Sequence, residues 1–330
     1  MNESDFPRSF AAYSNRTDER IASSSGGVFS LIAGAVLNRR GAVYGVRISD
    51  DCKKAVFTRI DAMEDLPLLR GSKYIQAAVG ETFRKVKEDL DQGTLVLFSG
   101  TGCQINGLKA YLPREYDNLI SLDVVCHGVP SPELWRTYVD YCEKKYGGTL
   151  KRVNFRCKDD SWRDYGIKKT HGETQVYSGK NADPYMLMFL RNYALRPSCY
   201  KCSAKSIKQA DITLADFWGI QYVLKEMYDD LGVSLCIIRS EKGMDLFNTI
   251  QADLKVKEVP IHIALERCKG EHTSAKRPIE REAFYRDMHD LSFENLSKKY
   301  AAPDTVSLKA RMGKIVRTIK KRIGRKDRVR

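Results

Sequence analysis

A chain of 330 residues with 42% hydrophobic and 30% charged side chains is long enough for one large or two ordinary domains and too apolar to be disordered. An acidic start, Met1-Asn2-Glu3-Ser4-Asp5, and a longest weakly polar stretch of only Gly26 to Leu37 exclude a secretory signal and a spanning helix, so the expectation is a cytoplasmic protein. The formal charge of +14 is concentrated in one place: Lys309 to Arg330 carry eleven basic residues against Asp327 alone, which leaves a nearly balanced body and no expected nucleic-acid partner.

Ser23-Ser24-Ser25-Gly26-Gly27 reads as a turn that opens a buried helix from Val28. Ala42 to Val46 is a strand candidate. From Glu81 to Leu90, apolar Phe83, Val86 and Leu90 recur at helical spacing. Thr94 to Phe98 is an apolar strand run, followed by a glycine loop over Ser99-Gly100-Thr101-Gly102-Cys103 and then a helix. The order repeats: the strand Asn118 to Val125 ends at Cys126-His127-Gly128, and Pro130 and Pro132 lead into a helix through Trp135, Tyr138, Val139 and Cys142. Such repetition predicts an α/β fold whose functional residues gather beyond the carboxyl ends of strands. Gly147-Gly148 marks a break, after which a strand at Arg152 to Arg156, an irregular region through Gly179, a strand at Val233 to Ile238 and a helix near Gly243 to Leu254 are expected.

A reducing compartment turns the nine cysteines toward metal binding, catalysis or burial. Cys199-Tyr200-Lys201-Cys202 has the spacing that lets one turn offer two sulfurs to a metal centre, with a dithiol redox pair as the rival. Cys103 and Cys126 stand at analogous strand ends, each beside glycine, where buried thiols compete with ligands as the reading. Cys142 falls on the apolar stripe of a helix and Cys236 inside an apolar strand, so both are expected in the core. Cys52, Cys157 and Cys268 have no partner at ligand spacing. Four candidates remain, Cys103, Cys126, Cys199 and Cys202, suited to an iron–sulfur cluster or to zinc in a non-redox α/β binding or structural protein. His127 is a further candidate as a ligand or proton donor.

Six segments in order, Ser24 to Phe29, Leu69 to Tyr74, Phe98 to Gln104, Asp123 to Pro130, Ser198 to Cys202 and Ala210 to Gly219, make the sequence resemble the coenzyme F420 hydrogenase/dehydrogenase beta-subunit family. That family also includes 7-hydroxymethyl chlorophyll a reductase. The resemblance implies an oxidoreductase with FAD beside one [4Fe–4S] cluster, passing electrons between a two-electron carrier or substrate and a one-electron partner such as a ferredoxin. Coenzyme F420 or another reduced carrier is the implied cosubstrate. Carried over by motif, Cys103, Cys126, Cys199 and Cys202 are the cluster ligands. The flavin falls to the loops holding Ser25, Gly26, Gly27, Gly71, Ser72, Lys73, Tyr74, Gly100 and Thr101, whose amides and lysine suit a pyrophosphate. Phe217 and Trp218 are expected as structural neighbours of the cluster loop. The sequence departs from the family at Gly102, commonly proline, and at Ala215, commonly glycine. No closely spaced cysteines precede Cys52, so one-electron delivery is expected from a separate protein or a neighbouring chain.

The resulting expectation is a mixed sheet core in an α/β flavin and cluster domain over 20–150, a second mixed α/β or α+β segment over 151–300 that supplies the cysteine pair, and a basic amphipathic tail over 301–330. In that tail Leu308, Met312, Ile315, Val316, Ile319 and Ile323 form one apolar helical stripe among lysines and arginines. This predicts a C-terminal helix that can lie on an anionic membrane, peripheral at its inner surface.

Overall fold

A computed structural model describes residues 6–302; the tail helix expected from Leu308 to Ile323 lies outside the described residues. The strands are β1 (Arg8–Ser14), β2 (Ala42–Ile48), β3 (Ala55–Ile60), β4 (Ala77–Ala78), β5 (Val96–Thr101), β6 (Leu119–Val124), β7 (Leu150–Cys157), β8 (Gly166–His171), β9 (Thr174–Gly179), β10 (Ile212–Asp216), β11 (Ser234–Ile238) and β12 (Leu254–Val259). The helices are α1 (Thr17–Ala22), α2 (Val28–Leu37), α3 (Leu66–Leu69), α4 (Thr82–Asp91), α5 (Gly102–Tyr111), α6 (Pro132–Tyr146), α7 (Pro184–Leu190), α8 (Glu241–Thr249), α9 (Ile261–Arg267), α10 (Arg281–Asp290) and α11 (Phe293–Tyr300).

Nine strands form one mixed sheet in the order β12-β1-β11-β10-β6-β5-β2-β3-β4, confirming the expected α/β mixed-sheet class. Its centre, β10-β6-β5-β2, is parallel, and both flanks turn antiparallel. Central strands covered on both faces carry near-continuous apolar runs, and in Leu119–Val124 every residue but Val124 is buried. Alternation then divides the side chains: Leu97 joins Ile32, Val36 and Phe247 on the α2–α8 face, while Val96 and Phe98 join Val86, Ile105 and Leu108 on the α4–α5 face. The sheet draws strands from both sides of Gly147-Gly148.

A second, antiparallel sheet, β7-β8-β9, packs with α6, α7, α10 and α11 around Trp135, Tyr138, Phe155, Tyr185 and Phe284. Inside it, Lys169 Nζ donates to Asp183 Oδ2 over 2.8 Å, and the Tyr138 hydroxyl donates to the same oxygen. Cys142 and Cys236 are buried in core positions, as expected.

Three local expectations need correction. The irregular region through Gly179 contains β8 and β9, whose register from Gly166↔Gly179 to His171↔Thr174 closes through a short turn at Gly172. The helix expected to reach Leu254 ends at Thr249; a short turn follows, and Leu254 begins β12, captured by pairing with Ser14 of β1. The glycine loop over Ser99 to Cys103 is divided between a strand and a helix. β5 continues to Thr101, and α5 starts at Gly102 with Thr101 N donating to Gln104 Oε1 over 2.9 Å, a capping box.

Among the described residues, no helix is long and apolar enough to cross a membrane.

Candidate functional site

Because β5, β6 and β10 run parallel as neighbours, their carboxyl ends meet on one edge of the sheet. Cys103 lies in the first turn of α5 just beyond β5, Cys126 two residues beyond β6, and Asp216 at the end of β10. The cysteine pair arrives from the other side. A 3-10 turn, Pro197–Lys201, is held against the segment before α6 by the Pro130↔Leu195 bridge and by Arg196 N donating to Val129 O over 2.9 Å.

The fold thus brings Cys103, Cys126, Cys199 and Cys202 to the wall of one cavity of about 120 Å³, with Thr101, Asp123, Lys205, Lys208 and Glu271 among its other residues. Cys103 is exposed and the other three are half-buried. Burial pushes the Cys126 thiol up to about 12, and the neighbouring Cys199 and Cys103 add to that rise while Lys205 opposes it. Cys199 is raised by burial too, with Cys103 and Cys202 contributing and the Val129 backbone N–H opposing. Thr101 Oγ1 stands 3.2 Å from Cys103 Sγ. Lys205 Nζ donates to the carbonyl oxygen of Cys126 over 2.7 Å and to that of Gly270. Among the described residues, no three His, Cys, Asp or Glu side chains stand close enough together to hold a single metal ion.

Gly102 explains how closely these pieces approach. A Cβ there would lie 2.9 Å from Asp123 Oδ2 and 3.1 Å from Ala204 Cβ, so the bare glycine lets α5 start against β6 and the cysteine-pair loop. Asp123 is buried with its Oδ1 unpaired, and burial raises its carboxyl.

A larger cavity of about 300 Å³ lies alongside and shares Thr101 and residues 124–129 with the first. Ser25, Gly27, Gly71, Ser72, Lys73, Tyr74, Gly100 and Thr101 line it, as do His127, Arg70, Arg156 and Asp216. Gly26 does not. It lies behind the wall, donating its N–H to Ser234 Oγ over 3.0 Å, and a Cβ there would come within 2.5 Å of Ala12 O. Its neighbour Gly27 takes φ +86 as the N-cap of α2, a left-handed conformation that glycine adopts without strain.

Positive charge dominates this second wall. Lys73 Nζ donates to Leu69 O and Arg70 O, each over 2.8 Å, and burial pulls its pKa down to about 7. Arg156, delivered by β7, pairs with Asp216 Oδ2 over 2.7 Å, touches the Tyr74 hydroxyl and Ser24 O at 3.3 Å each, and stacks 3.9 Å from the Tyr165 ring centre. Arg70 is held by Ser30 Oγ at 3.1 Å and Glu19 at 3.3 Å. Sequence reading missed Arg70 and Arg156 as site residues. Arg70 adjoins the Gly-Ser-Lys-Tyr segment, but nothing local marks Arg156, which reaches the cavity only through tertiary packing. His127 joins both walls; its Nε2 is 2.6 Å from Asn192 Oδ1, and desolvation lowers its pKa. Phe217 is fully buried, and Trp218 stacks on Trp162 with ring centres 4.6 Å apart.

Residues 93–263 match the family model for the C terminus of the coenzyme F420 hydrogenase/dehydrogenase beta subunit. Fourteen solved chains match the fold. One comes from the xenon-derivatised F420-reducing [NiFe] hydrogenase complex of Methanosarcina barkeri, at a TM-score of 0.54 and 13% identity, covering 84% of this chain and 91% of that one. No curated protein matches. The family match takes in β5, β6 and β10, with Cys103, Cys126, Cys199 and Cys202, and covers more than half of the sequence. The chain belongs to the coenzyme F420 hydrogenase/dehydrogenase beta-subunit family.

Proposed function

We propose that this chain is a flavin and [4Fe–4S] oxidoreductase that exchanges electron pairs with a small carrier or substrate and single electrons with a protein partner. One observation carries the reading: a cavity lined by four cysteines and a cavity lined by glycine loops and cations share the wall from Val124 to Val129.

The donor set fits a cluster. Four thiols on the wall of one cavity are the soft donor set that a [4Fe–4S] cluster takes. Cys103, Cys126, Cys199 and Cys202 would hold the cluster, and Lys205, beside Cys126, opposes part of the rise that burial imposes on that thiol. The second wall fits a flavin dinucleotide. Ser25, Gly27, Gly71, Ser72, Gly100 and Thr101 offer small side chains and backbone amides, Lys73, Arg70 and Arg156 offset phosphate charge, and Tyr74 gives an aromatic surface. Gly26 contributes by letting the Ser25–Gly27 turn pack on β1 and β11. When bound, FAD supplies two-electron and one-electron chemistry and the cluster supplies one-electron transfer.

Asp216 holds the Arg156 guanidinium in place, and the segment from Val124 to Val129 stands between the two sites as their common wall. The M. barkeri relative belongs to a complex named for reducing F420. That supports a deazaflavin or a similar hydride carrier as the two-electron reactant.

Anaerobically purified protein supplied with iron, sulfide and FAD should hold about four irons and four labile sulfides, with FAD identified by chromatography of an acid extract. Stoichiometric zinc with negligible iron would favour the zinc-stabilised binding protein instead.

A further inference from the structure

We propose that the basic surface around the mouth of the cysteine-lined cavity is the docking site for an acidic one-electron carrier protein of the small-ferredoxin type. That carrier's redox role rests on the cofactor reading above; the surface itself is a matter of charge and exposure.

Two segments build it. From Arg196 to Lys208 the chain carries Arg196, Lys201, Lys205 and Lys208 and no acid. From Arg267 to Arg277 it carries Arg267, Lys269, Lys276 and Arg277, with Glu271 as the single acid. Glu271 is buried and already paired with Lys208 at 2.8 Å and with Arg239. The segments are stitched together at the cavity by Cys202 N donating to Ser274 Oγ over 3.1 Å and Lys205 to Gly270 O, and Asn192, just before the first segment, donates its Nδ2 to Lys276 O over 3.1 Å.

Cations at this mouth have two duties, and burial separates them. Lys205 and Lys208 are partly buried and tied to backbone and to Glu271, so they serve the interior charge. Arg196, Lys201, Lys269 and Lys276 are exposed, and none of them has a salt bridge to another described residue. Arg196 and Lys201 line the cavity, and Lys269 and Lys276 stand on the segment bonded to it; unpaired exposed cations contribute little to folding, but several together present a field to an approaching partner. Ile207, 53% exposed, provides an apolar contact within the same segment. Cys103 is exposed at the cavity, so a docked carrier would approach the cluster ligands without any rearrangement of the fold.

The test is equilibrium binding of the full chain to a purified acidic ferredoxin, with basic cytochrome c and a short DNA duplex as probes of non-specific attraction. Reversing Lys201, Lys269 and Lys276 to Glu should weaken ferredoxin binding by about tenfold or more, and the matching Gln variants by less. The wild-type affinity should fall as salt rises. Lys85→Glu with Lys151→Glu, exposed positions on other elements, should leave binding unchanged. Ferredoxin binding indifferent to the three reversals, or DNA bound more tightly than ferredoxin at the same surface, overturns the proposal. Iron content is measured on the same samples. Ferredoxin binding that survives in protein without iron upholds the surface while counting against the cofactor assignment.

Discussion

The two cavities are built from different kinds of information. The cysteine-lined one takes its defining side chains from two strand ends and one short turn, so residue type and spacing already single them out. The larger one takes Ser25 and Gly27 from the loop before α2, Lys73 from the loop after α3, Arg156 from the second sheet and Asp216 from β10, and these four regions are far apart in sequence. A group of cysteines advertises itself because few residues share their chemistry. A wall assembled from common residues becomes visible only when the fold closes.

That contrast predicts a sharp division among the cysteines. Replacing Cys103 or Cys199 with Ser should remove most of the bound iron. Cys142→Ser, on the buried face of α6 and away from the cavity, should keep it and cost about 1 kcal/mol or more of stability for a polar group placed in the core. Equal iron retention in all three variants would erase the distinction between ligand and core thiols.

The larger cavity should fail differently, through folding as well as binding. Arg156→Leu leaves Asp216 half-buried without its cation, so a loss of about 3 kcal/mol in denaturant unfolding is expected, together with weaker FAD retention. Arg156→Lys should restore part of the stability and less of the retention, because a single ammonium cannot reach Asp216, Ser24 O and Tyr74 together. Unchanged stability in both variants would place Arg156 outside the framework of the site.

A smaller effect concerns pH. Lys73 has an ordinary value of 10.5 and falls to about 7 in the fold, so within that window the unfolded chain takes up a proton that the folded chain does not. Stability without an anion beside Lys73 therefore declines as pH falls from the upper value toward the lower. A bound pyrophosphate favours the ammonium and reverses the trend locally. FAD affinity should accordingly strengthen by severalfold as pH is lowered from the alkaline side toward about 7 and level off below it, and Lys73→Met should flatten that profile. A flat wild-type profile would separate Lys73 from the anion.

Legibility followed the same physics. The central strands near residues 42–46, 94–98, 118–125 and 233–238 were readable because burial on both faces demands continuous apolar runs. β9 was not, since Thr174–Gly179 contains no buried residue and so has no alternation to detect. β12 carries Lys255, Lys257 and Glu258 on an edge, and only its pairing with β1, more than two hundred residues away, makes it a strand. Of the residues that the resemblance assigns to a flavin, Gly26 shows the limit of motif transfer: it belongs to the motif but serves packing behind the wall. Arg156 shows the opposite, a cavity residue with no motif around it.

Whether both cavities carry redox groups is tested most directly by anaerobic reductive titration of the reconstituted full chain, followed by absorbance. The account predicts uptake of about three electrons per chain, two bleaching flavin and one bleaching the cluster, with the flavin share lost selectively in Arg156→Leu and the cluster share in Cys199→Ser. Uptake of two electrons or fewer by protein that has been supplied with iron, sulfide and FAD would contradict it.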